Sequence, residues 1–352
     1  MPEEIGRYQK ITLLGKGGMG EVWEATDSHT GRTVALKLLT SAALLDPELR
    51  ERFLREMRLA AEIENPYVVA VYDFAATPSP YIAMRLIRGI TLAEEIRTAP
   101  LDPARAVDIV QQIASALASA HAKGLRHRDV KPSNIMLERG HRQGRDHAYL
   151  FDWGIAHRID TADPEITRGG QIVGTPSYIA PERLLGTRSD HRADIYSLAV
   201  VLYQALTGKL PFGDTGRPFP LRAHLFDPPR ALPPSIPPAL RKVVEKGLAK
   251  DPDERYSSAG EFGDEACAAL NPSAPSRSWQ SREVVWPSVG GVTGTAAGAV
   301  LAAGGMLDPV SALWALPALA AAGAFLGWGI RPPEPPAGPG DATRLIGPGT
   351  VV

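Results

Sequence analysis

The sequence contains a single cysteine, Cys267, in 352 residues. One thiol cannot form a disulfide within the chain, which excludes an internally cross-linked fold and fits a reducing compartment. A charge excess is also lacking, because 38 basic and 39 acidic side chains leave a net charge of −1. We therefore expect no nucleic-acid partner, since nothing in the overall balance suggests a basic surface.

The N-terminus lacks the apolar segment of a secretory signal, because its first ten residues, MPEEIGRYQK, are mostly polar and charged. The chain also lacks an internal repeat of the kind that indicates a solenoid. It has 44% hydrophobic and 22% charged residues, an ordinary balance that is typical of a chain that buries a core.

Composition divides the chain unevenly. Residues 1 to about 270 mix charges, apolar runs and turns throughout. Residues 271–283 are polar and contain two prolines, which is typical of a linker. Residues 284–330 are apolar, with Asp308 as the only charge, and residues 331–352 begin with a Pro/Gly tract. Because such a tract cannot pack a core, we predict a disordered tail there.

A cluster of glycines lies between two runs of strand-forming residues. Gly15, Gly17 and Gly20 follow the spacing G-x-G-x-x-G within ITLLGKGGMGEVWEA. Because glycine has no Cβ, backbone N–H groups of such a loop can approach phosphate oxygens closely. Alone, the cluster leaves open a glycine-rich hairpin that binds no ligand. A dinucleotide-binding fingerprint is disfavoured, because that fingerprint opens a helix and the segments that follow here are typical of strands.

Lys37 is the only charged residue within Val34–Leu39. Considered without the segments that follow, Lys37 is interpreted as a lysine on the solvent face of a strand. The next segment, residues 46–63, has the apolar spacing of a helix, with Phe53, Met57 and Ala60 on one face. Its Glu56 could reach Lys37 and orient the ammonium group toward the α- and β-phosphates of a nucleotide.

The octet HRDVKPSN, residues 127–134, places three polar groups at fixed intervals in a segment that proline keeps from being helical. Asp129 could accept a hydrogen bond from a substrate hydroxyl, and Lys131 could neutralise a transferring phosphoryl group. Asn134 could hold a metal, and eighteen residues later Asp152 follows an apolar, strand-like segment. A carboxylate at a strand end, near an asparagine, is a reasonable pair of Mg²⁺ ligands.

Taken together, these motifs resemble those of the eukaryotic-type protein kinases, in their bacterial serine/threonine branch. The resemblance covers about residues 8–270 and has the family's motifs in the family's order. The motifs are GKGGMGEV, VALK with Lys37, the helical Glu56, HRDVKPSN, DWG at Asp152, APE ending at Glu182, DIYSL beginning at Asp194 and DPDERY containing Arg255. The resemblance implies an α+β, bilobal fold, with a β-rich N-lobe over residues 8–87 and a helical C-lobe over residues 88–270.

The same resemblance implies the chemistry of the site. Asp129 is the catalytic base, Lys131 stabilises the charge of the phosphoryl group, and Asn134 and Asp152 bind Mg²⁺. The substrates are ATP and the serine or threonine hydroxyls of proteins. Lys131 lies two residues after Asp129, and Thr175 lies where that branch keeps a threonine, which favours serine/threonine over tyrosine.

The implied ATP site combines the glycine-rich loop, an ion pair of Lys37 with Glu56, and a hinge at residues 85–87 after a gatekeeper-like Met84. Arg85 lies where relatives often have an acidic hinge residue. Because hinge contacts to the nucleotide come mostly from the backbone, we expect this change to be harmless. The expected ATP-binding residues are Leu14, Gly15, Lys16, Gly17, Gly18, Met19, Gly20, Glu21, Val22, Ala35, Lys37 and Glu56.

Three further residues have structural roles by resemblance. Glu182 and Arg255 form a buried ion pair that supports the C-lobe, and Asp194 braces the catalytic loop from a core helix. Trp153 replaces the phenylalanine that is usual between the metal-binding aspartate and glycine, and we expect its larger ring to affect the balance of active and inactive states. The alternative is a pseudokinase, a binding module without transfer, whose signature is the loss of a catalytic residue.

The activation segment runs by resemblance from Asp152 to Glu182. Arg128 could pair with a phosphate on this segment and order it. Thr167 is the preferred autophosphorylation site and Thr161 the second candidate; the alternative is that Thr167 is a solvated loop residue. A homodimer that phosphorylates itself in trans is compatible with this interpretation.

The apolar region predicts a two-helix transmembrane hairpin. Residues 284–307 and 309–330 each exceed the roughly 20 residues that cross a bilayer as a helix. Arg277, Arg282 and Arg331 flank the region, so the positive-inside tendency places both ends, and the kinase domain, in the cytoplasm. The expected location is the inner (plasma) membrane as a multi-pass protein. A single crossing by the second segment and a soluble apolar domain remain the alternatives.

Overall fold

The computed structural model describes residues 3–17, 20–39, 46–77, 79–142, 145–153, 176–187, 189–212 and 220–270. The chain divides into two units, residues 1–279 and 280–352, and every described residue belongs to the first. Thr161, Thr167 and the predicted linker, membrane hairpin and tail lie outside the described residues.

An antiparallel sheet forms the N-terminal lobe, with the strand order β1-β2-β3-β4-β6-β5. Its strands are β1 (Glu4–Ile5), β2 (Tyr8–Gly17), β3 (Gly20–Asp27), β4 (Thr33–Leu39), β5 (Val71–Ala75) and β6 (Tyr81–Arg85). Gly20 closes the β2–β3 hairpin with a φ of +134°, and a Cβ there would lie 1.8 Å from the carbonyl oxygen of Leu38. A residue with a side chain would therefore push β3 away from β4.

Helix α1 (Pro47–Ala61) connects β4 to β5. Asp46 caps its N-terminus, because its carboxylate accepts hydrogen bonds from two backbone N–H groups of the first turn. The predicted apolar face of Phe53, Met57 and Ala60 is confirmed, since all three side chains are buried. Glu56 lies among them and is buried as well.

The C-terminal lobe is mostly helical. Its helices are α2 (Leu92–Thr98), α3 (Pro103–Ala122), α4 (Pro181–Leu184), α5 (Arg192–Thr207), α6 (Pro220–Phe226), α7 (Pro238–Gly247) and α8 (Ala259–Leu270). A small sheet of β7 (Ile90–Thr91), β8 (Ile135–Arg142) and β9 (Arg145–Leu150) packs against α3. Helix α5 is buried on nearly all sides, which makes it the centre of the lobe. None of these helices combines the length and apolarity that crossing a bilayer requires.

The loop after α1 joins the two lobes. Asn65 donates to Ser119 Oγ at 2.8 Å and to the carbonyl of Ser115 at 3.2 Å, which ties the loop to α3. The backbone of Leu150, at the end of β9, exchanges hydrogen bonds with Tyr67 and Val69. These contacts fix the end of β9, and therefore Asp152, relative to β4 of the N-lobe.

Candidate active site

The catalytic-loop residues that the sequence singles out lie in contact. Lys131 Nζ is 2.7 Å from Asp129 Oδ2, and Asn134 Nδ2 donates to the same oxygen at 3.0 Å and to the Asp129 carbonyl at 2.8 Å. The Asp129 and Lys131 side chains are only 13% and 17% exposed, so their charges interact through a medium less polar than bulk water. Among the described residues, the cation beside the Asp129 carboxylate is Lys131.

Asp152 follows β9 and reaches the N-lobe. Its carboxylate contacts the ammonium group of Lys37, which lies on β4. The N–H of Phe151 donates to the Asn134 carbonyl at 3.1 Å, so the backbones that carry the two predicted metal ligands are joined directly. Asp152 has a φ of 62°, a conformation that is uncommon for a residue with a side chain.

A Mg²⁺ site here depends on more than carboxylates. The described residues contain no group of three His, Cys, Asp or Glu side chains placed to hold a metal ion. The Asn134 amide nitrogen is committed to Asp129, which leaves the amide oxygen as the ligand atom. Since Mg²⁺ takes one or two protein oxygens and completes its shell with phosphate oxygens and water, Asn134 and Asp152 fit this ion when a nucleotide is bound.

The ion pair of Lys37 with Glu56, which the resemblance implies, is not the arrangement in this structure. Among the described residues, the carboxylate in contact with Lys37 is Asp152, whereas Glu56 Oε1 lies 3.9 Å from Arg128 Nη1. Both pairings bring buried or partly buried charges next to an opposite charge. The Asp152 carboxylate, after β9, thus occupies the place beside Lys37 that the resemblance gives to Glu56 on α1.

Two glycines of the β2–β3 hairpin lie away from the rest of the described chain. A Cβ added to Gly15 or Gly17 would meet no described residue within 4 Å, so packing among the described residues does not explain these glycines. Lys16 Nζ pairs with Glu21 Oε1 at 3.0 Å across the hairpin, and Trp23 Nε1 donates to Glu21 Oε2 at 3.1 Å. The hydrogen bonds from Lys16 and Trp23 lower the pKa of Glu21. Gly18 and Met19 lie outside the described residues.

The residues that are predicted to form the walls of an adenine pocket lie on three neighbouring strands of the N-lobe sheet. Ala35 is buried on β4, Val22 is half-buried on β3, and Leu14 is 48% exposed on β2. Met84 is half-buried at the end of β6, and the Arg85 guanidinium lies 5.2 Å from the centre of the Tyr149 ring. The cation–π contact holds the Arg85 side chain against the C-lobe.

Asp194 on α5 holds the catalytic loop, as the resemblance implies. Its carboxylate accepts the N–H of His127 at 2.8 Å and the N–H of Arg128 at 2.7 Å. Burial alone raises the pKa of this carboxyl, but hydrogen bonding to His121 and nearby positive charge lower the pKa to about 2. The group is therefore an anion at neutral pH.

His127 is fully buried behind the loop. Its Nδ1 accepts the N–H of Asp129 at 3.3 Å, so Nε2 carries the proton and donates to the carbonyl of Phe151 at 3.1 Å. Burial lowers the pKa of this imidazole. Trp153 packs on it with ring centres 4.9 Å apart, and the larger ring is accommodated with only 6% exposure. Its Nε1 is buried and has no hydrogen-bond acceptor among the described residues.

The ion pair of Glu182 and Arg255 is present as the resemblance implies. Two parallel hydrogen bonds of 2.8 Å join the carboxylate to the guanidinium, and both side chains are buried.

The sequence analysis did not identify two residues that contact the catalytic loop or the aspartate that holds it. Arg183 donates to the carbonyl of Arg128, and His121 on α3 contacts Asp194.

Comparisons with known proteins assign a family to this chain. The protein kinase domain family matches residues 8–267. The serine/threonine-protein kinase PknH of Mycobacterium tuberculosis is 44% identical over 272 residues, which cover 76% of this chain and 42% of that protein. PknD of the same organism is 44% identical over 276 residues, covering 77% of this chain and 40% of that protein. The chain thus spans less than half the length of these curated relatives.

A solved structure supports the same assignment. The crystal structure of the M. tuberculosis PknI kinase domain matches with a TM-score of 0.59 and 29% sequence identity, and covers 76% of this chain and 96% of that chain. The family match, the relatives and the motif geometry agree. The chain belongs to the protein kinase domain family, in its bacterial branch of eukaryotic-type serine/threonine kinases.

Proposed function

We propose that this chain is an active serine/threonine protein kinase, which transfers the γ-phosphoryl group of ATP to serine and threonine hydroxyls of proteins. The observation that carries the proposal is the contact of Asp129 with both Lys131 and Asn134, beside the contact of Asp152 with Lys37. A pseudokinase is expected to lack one of these groups, and this chain has all of them. Catalysis of phosphoryl transfer rests on positioning and charge stabilisation, which this constellation provides.

ATP is proposed to bind between the β2–β3 hairpin and the hinge. Leu14, Val22 and Ala35 supply apolar surface for the adenine, and the space above Gly15 and Gly17 admits the phosphates. Such open glycine positions let backbone N–H groups approach phosphate oxygens.

The hinge supplies polar groups for the adenine edge. The N–H of Arg85 already donates to the carbonyl of Ala70 at 2.9 Å. The proposed adenine contacts are therefore the carbonyl of Arg85 and the backbone of residues 86–87. These contacts use backbone atoms only. Substitution of the Arg85 side chain is therefore expected to have little effect on nucleotide affinity.

Nucleotide binding requires an exchange of partners at Lys37. Phosphate oxygens take the place of Asp152 beside the ammonium group, and the Asp152 carboxylate becomes available, with Asn134, to hold Mg²⁺. The bound ion supplies positive charge that neutralises the β- and γ-phosphates. The contact of Lys37 with Asp152 supports this proposal. The Lys37 ammonium group lies at the carboxylate that is expected to bind Mg²⁺.

Transfer itself is assigned to the catalytic loop. Asp129 accepts a hydrogen bond from the substrate hydroxyl and orients it toward the γ-phosphorus. Lys131, 2.7 Å from Asp129, lies where it can offset the negative charge on the phosphoryl group during transfer.

Activation is proposed to act on Arg128. A phosphate on Thr167, or on Thr161, would pair with this guanidinium and compete with Glu56, whose Oε1 lies 3.9 Å away. The proposal predicts that Thr167→Ala lowers turnover and that Thr161→Ala has the smaller effect. Unchanged turnover of Thr167→Ala would remove Thr167 from the mechanism.

Autophosphorylation in trans, between two copies of the chain, predicts that the rate of autophosphorylation per molecule rises with protein concentration.

Membrane attachment is proposed from the sequence of residues 284–330. Two apolar segments joined at Asp308 form a hairpin that leaves the kinase domain and the tail in the cytoplasm. Protease treatment of inverted and right-side-out vesicles tests it. Cleavage of both the kinase domain and the tail from the cytoplasmic side supports two crossings, whereas a tail cleaved only from the opposite side indicates one.

The decisive experiment is phosphate transfer by the purified full-length chain with Mg-ATP, with Asp129→Asn as the matched control and mass spectrometry to place the phosphates. Phosphoserine or phosphothreonine formed by the parent and not by the control supports the proposal. Nucleotide binding without transfer would favour a pseudokinase and make Trp153 the first residue to change. Phosphotyrosine alone would contradict the substrate class.

A further inference from the structure

A cavity of about 800 Å³ opens on the C-lobe, beside the end of α8. Its walls come from α2, from the N-terminal turns of α3, from the β8–β9 hairpin and from the last turn of α8. Val107, Cys267 and Leu270 form an apolar part of this lining, since a free thiol packs as a small apolar group. Leu270 is the last residue of α8, so the chain leaves the described region directly from a wall of the cavity.

The guanidinium groups that line the cavity are already paired. Arg105 and Arg139 both contact the buried carboxylate of Glu95. On the β8–β9 hairpin, Arg145 Nη1 lies 3.8 Å from Asp108 Oδ1. The cations of the lining are therefore committed to carboxylates of the same lining.

Two further carboxylates leave an excess of negative charge. Asp146 Oδ2 lies 2.7 Å from Arg105, which Glu95 already contacts. Asp102 is exposed, and its Oδ1 accepts the N–H of Ala104 in the first turn of α3 at 2.9 Å. The lining thus has four carboxylates and three guanidinium groups. A segment that brings one cation to Asp102 would balance this charge.

The chain that continues from the cavity carries complementary groups. The first charged residue after Leu270 is Arg277, and the only aromatic residue of the predicted linker is Trp279. In an extended segment, residues two apart point to the same side, so these two side chains can enter the cavity together. Pro272 and Pro275 favour an extended backbone and reduce the conformational entropy that docking removes.

The length of this segment suffices for such docking. Arg277 lies seven residues after Leu270, and an extended backbone of that length spans up to about 24 Å. The guanidinium can therefore reach Asp102, which lines the same cavity as Leu270. Because the segment is attached at the cavity wall, its effective concentration there is high, and a few weak contacts are enough to hold it.

We propose that residues 271–279 dock in this cavity of their own chain. The indole of Trp279 packs on Val107 and Cys267, and the Arg277 guanidinium pairs with Asp102. An aromatic ring supplies a large apolar contact area, and the ion pair fixes the direction in which the segment runs. The inference goes beyond the proposed function and does not depend on phosphoryl transfer.

The thiol of Cys267 reports whether the cavity is occupied, because it lines the cavity and is the only cysteine in the chain. The purified full-length protein is treated with N-ethylmaleimide without ATP, and mass spectrometry follows the modification of Cys267. We expect Trp279→Ala to speed labelling by about tenfold, because the ring that covers the thiol is removed. Trp286→Ala is the matched control; it changes the next tryptophan along the chain, outside the docking segment, and should label at the rate of the parent.

A pair of charge variants tests the contact of Arg277 with Asp102. Asp102→Asn removes the charge but keeps the cap of α3, since asparagine caps a helix as well as aspartate does. Asp102→Asn and Arg277→Gln should each speed labelling by about threefold, as expected for a partly exposed ion pair. The double variant should label no faster than either single variant, because both remove the same interaction. Arg282→Gln, which lies beyond the docking segment, should have no effect.

Equal labelling rates for the parent and Trp279→Ala would overturn the proposal, because the segment would then not cover Cys267. A double variant that labels faster than both single variants would overturn the pairing of Arg277 with Asp102. Protection of the parent that falls on dilution would assign the occupant to a second copy and overturn docking within one chain. Each result is obtained without ATP, so it is distinguishable from a failure of phosphate transfer.

Discussion

Replacing Glu182 with glutamine removes the negative partner of a buried arginine, and we expect a large loss of stability. Glu182 lies in α4, and Arg255 lies directly after the short 3₁₀ turn that follows α7. Two hydrogen bonds of 2.8 Å connect their side chains, which are 6% and 0% exposed. Glutamine keeps the shape of the side chain but turns one acceptor into a donor that faces the guanidinium.

The magnitude follows from what remains around the charge. Removing one member of a buried ion pair costs about 3–5 kcal/mol, because the other charge stays buried. Arg255 still donates to the carbonyls of Ala249, Lys250 and Arg192, which offset part of its desolvation. The expected loss is therefore at the lower end, about 3 kcal/mol, against a total of about 5–15 kcal/mol for a folded domain.

Urea denaturation of the full-length protein, followed by tryptophan fluorescence, measures the loss. Glu24→Gln is the matched control, because Glu24 pairs with Arg88 at 3.0 Å while the Arg88 side chain is 75% exposed. An exposed pair of this kind contributes about 0–1 kcal/mol. Equal losses in the free energy of unfolding for the two variants would refute the argument that burial decides the value of the Glu182 pair.

Four further outcomes are expected. Gly263→Ala in α8 should lower the free energy of unfolding by about 1–3 kcal/mol, since its Cβ would lie 2.8 Å from the Ala114 Cβ. Gly260→Ala in the same helix meets nothing closer than 3.9 Å and should be neutral or stabilising by up to about 1 kcal/mol. Burial and the charge of nearby Lys250 lower the pKa of His224 to about 4. Between this value and the ordinary histidine pKa of about 6.5, His224 binds a proton in the unfolded chain but not in the folded chain. Stability should therefore fall by up to about 3 kcal/mol between pH 7 and pH 4, and urea titrations should show a flatter profile in His224→Asn. Gly17→Ala should leave the melting temperature unchanged, because its Cβ would meet no described residue within 4 Å, but should raise the KM for ATP in steady-state assays.

Much of the site could be predicted from the sequence because its geometry is local. Asp129, Lys131 and Asn134 lie within one octet, so their mutual contacts span at most five residues of sequence. The buried face of α1 follows from apolar spacing alone, and so does the placement of Glu56 on that face. The lobes follow from the resemblance, whose motifs mark their strands and helices in order.

The remaining features are side-chain pairings, which depend on tertiary packing and cannot be predicted from the spacing of residues in the sequence. The structure pairs Lys37 with Asp152, while Glu56 lies near Arg128. His121 is 73 residues from Asp194, and no pattern in the sequence distinguishes it from a histidine at the end of a surface helix. Only the packing of α3 against α5 brings the two together.

The backbone locates the active site by an argument that does not use the motifs. Among the described residues, positive φ angles at residues other than glycine occur at Arg128 and Asp152 alone, with values of 67° and 62°. Each costs about 1–3 kcal/mol, so a chain keeps such a conformation only where surrounding contacts impose it. Arg128 directly precedes Asp129, and Asp152 contacts Lys37, so both strained positions fall in one small region of the molecule. Strain concentrated on the catalytic loop and on the proposed metal-binding carboxylate is expected of a site that is preorganised for a reaction.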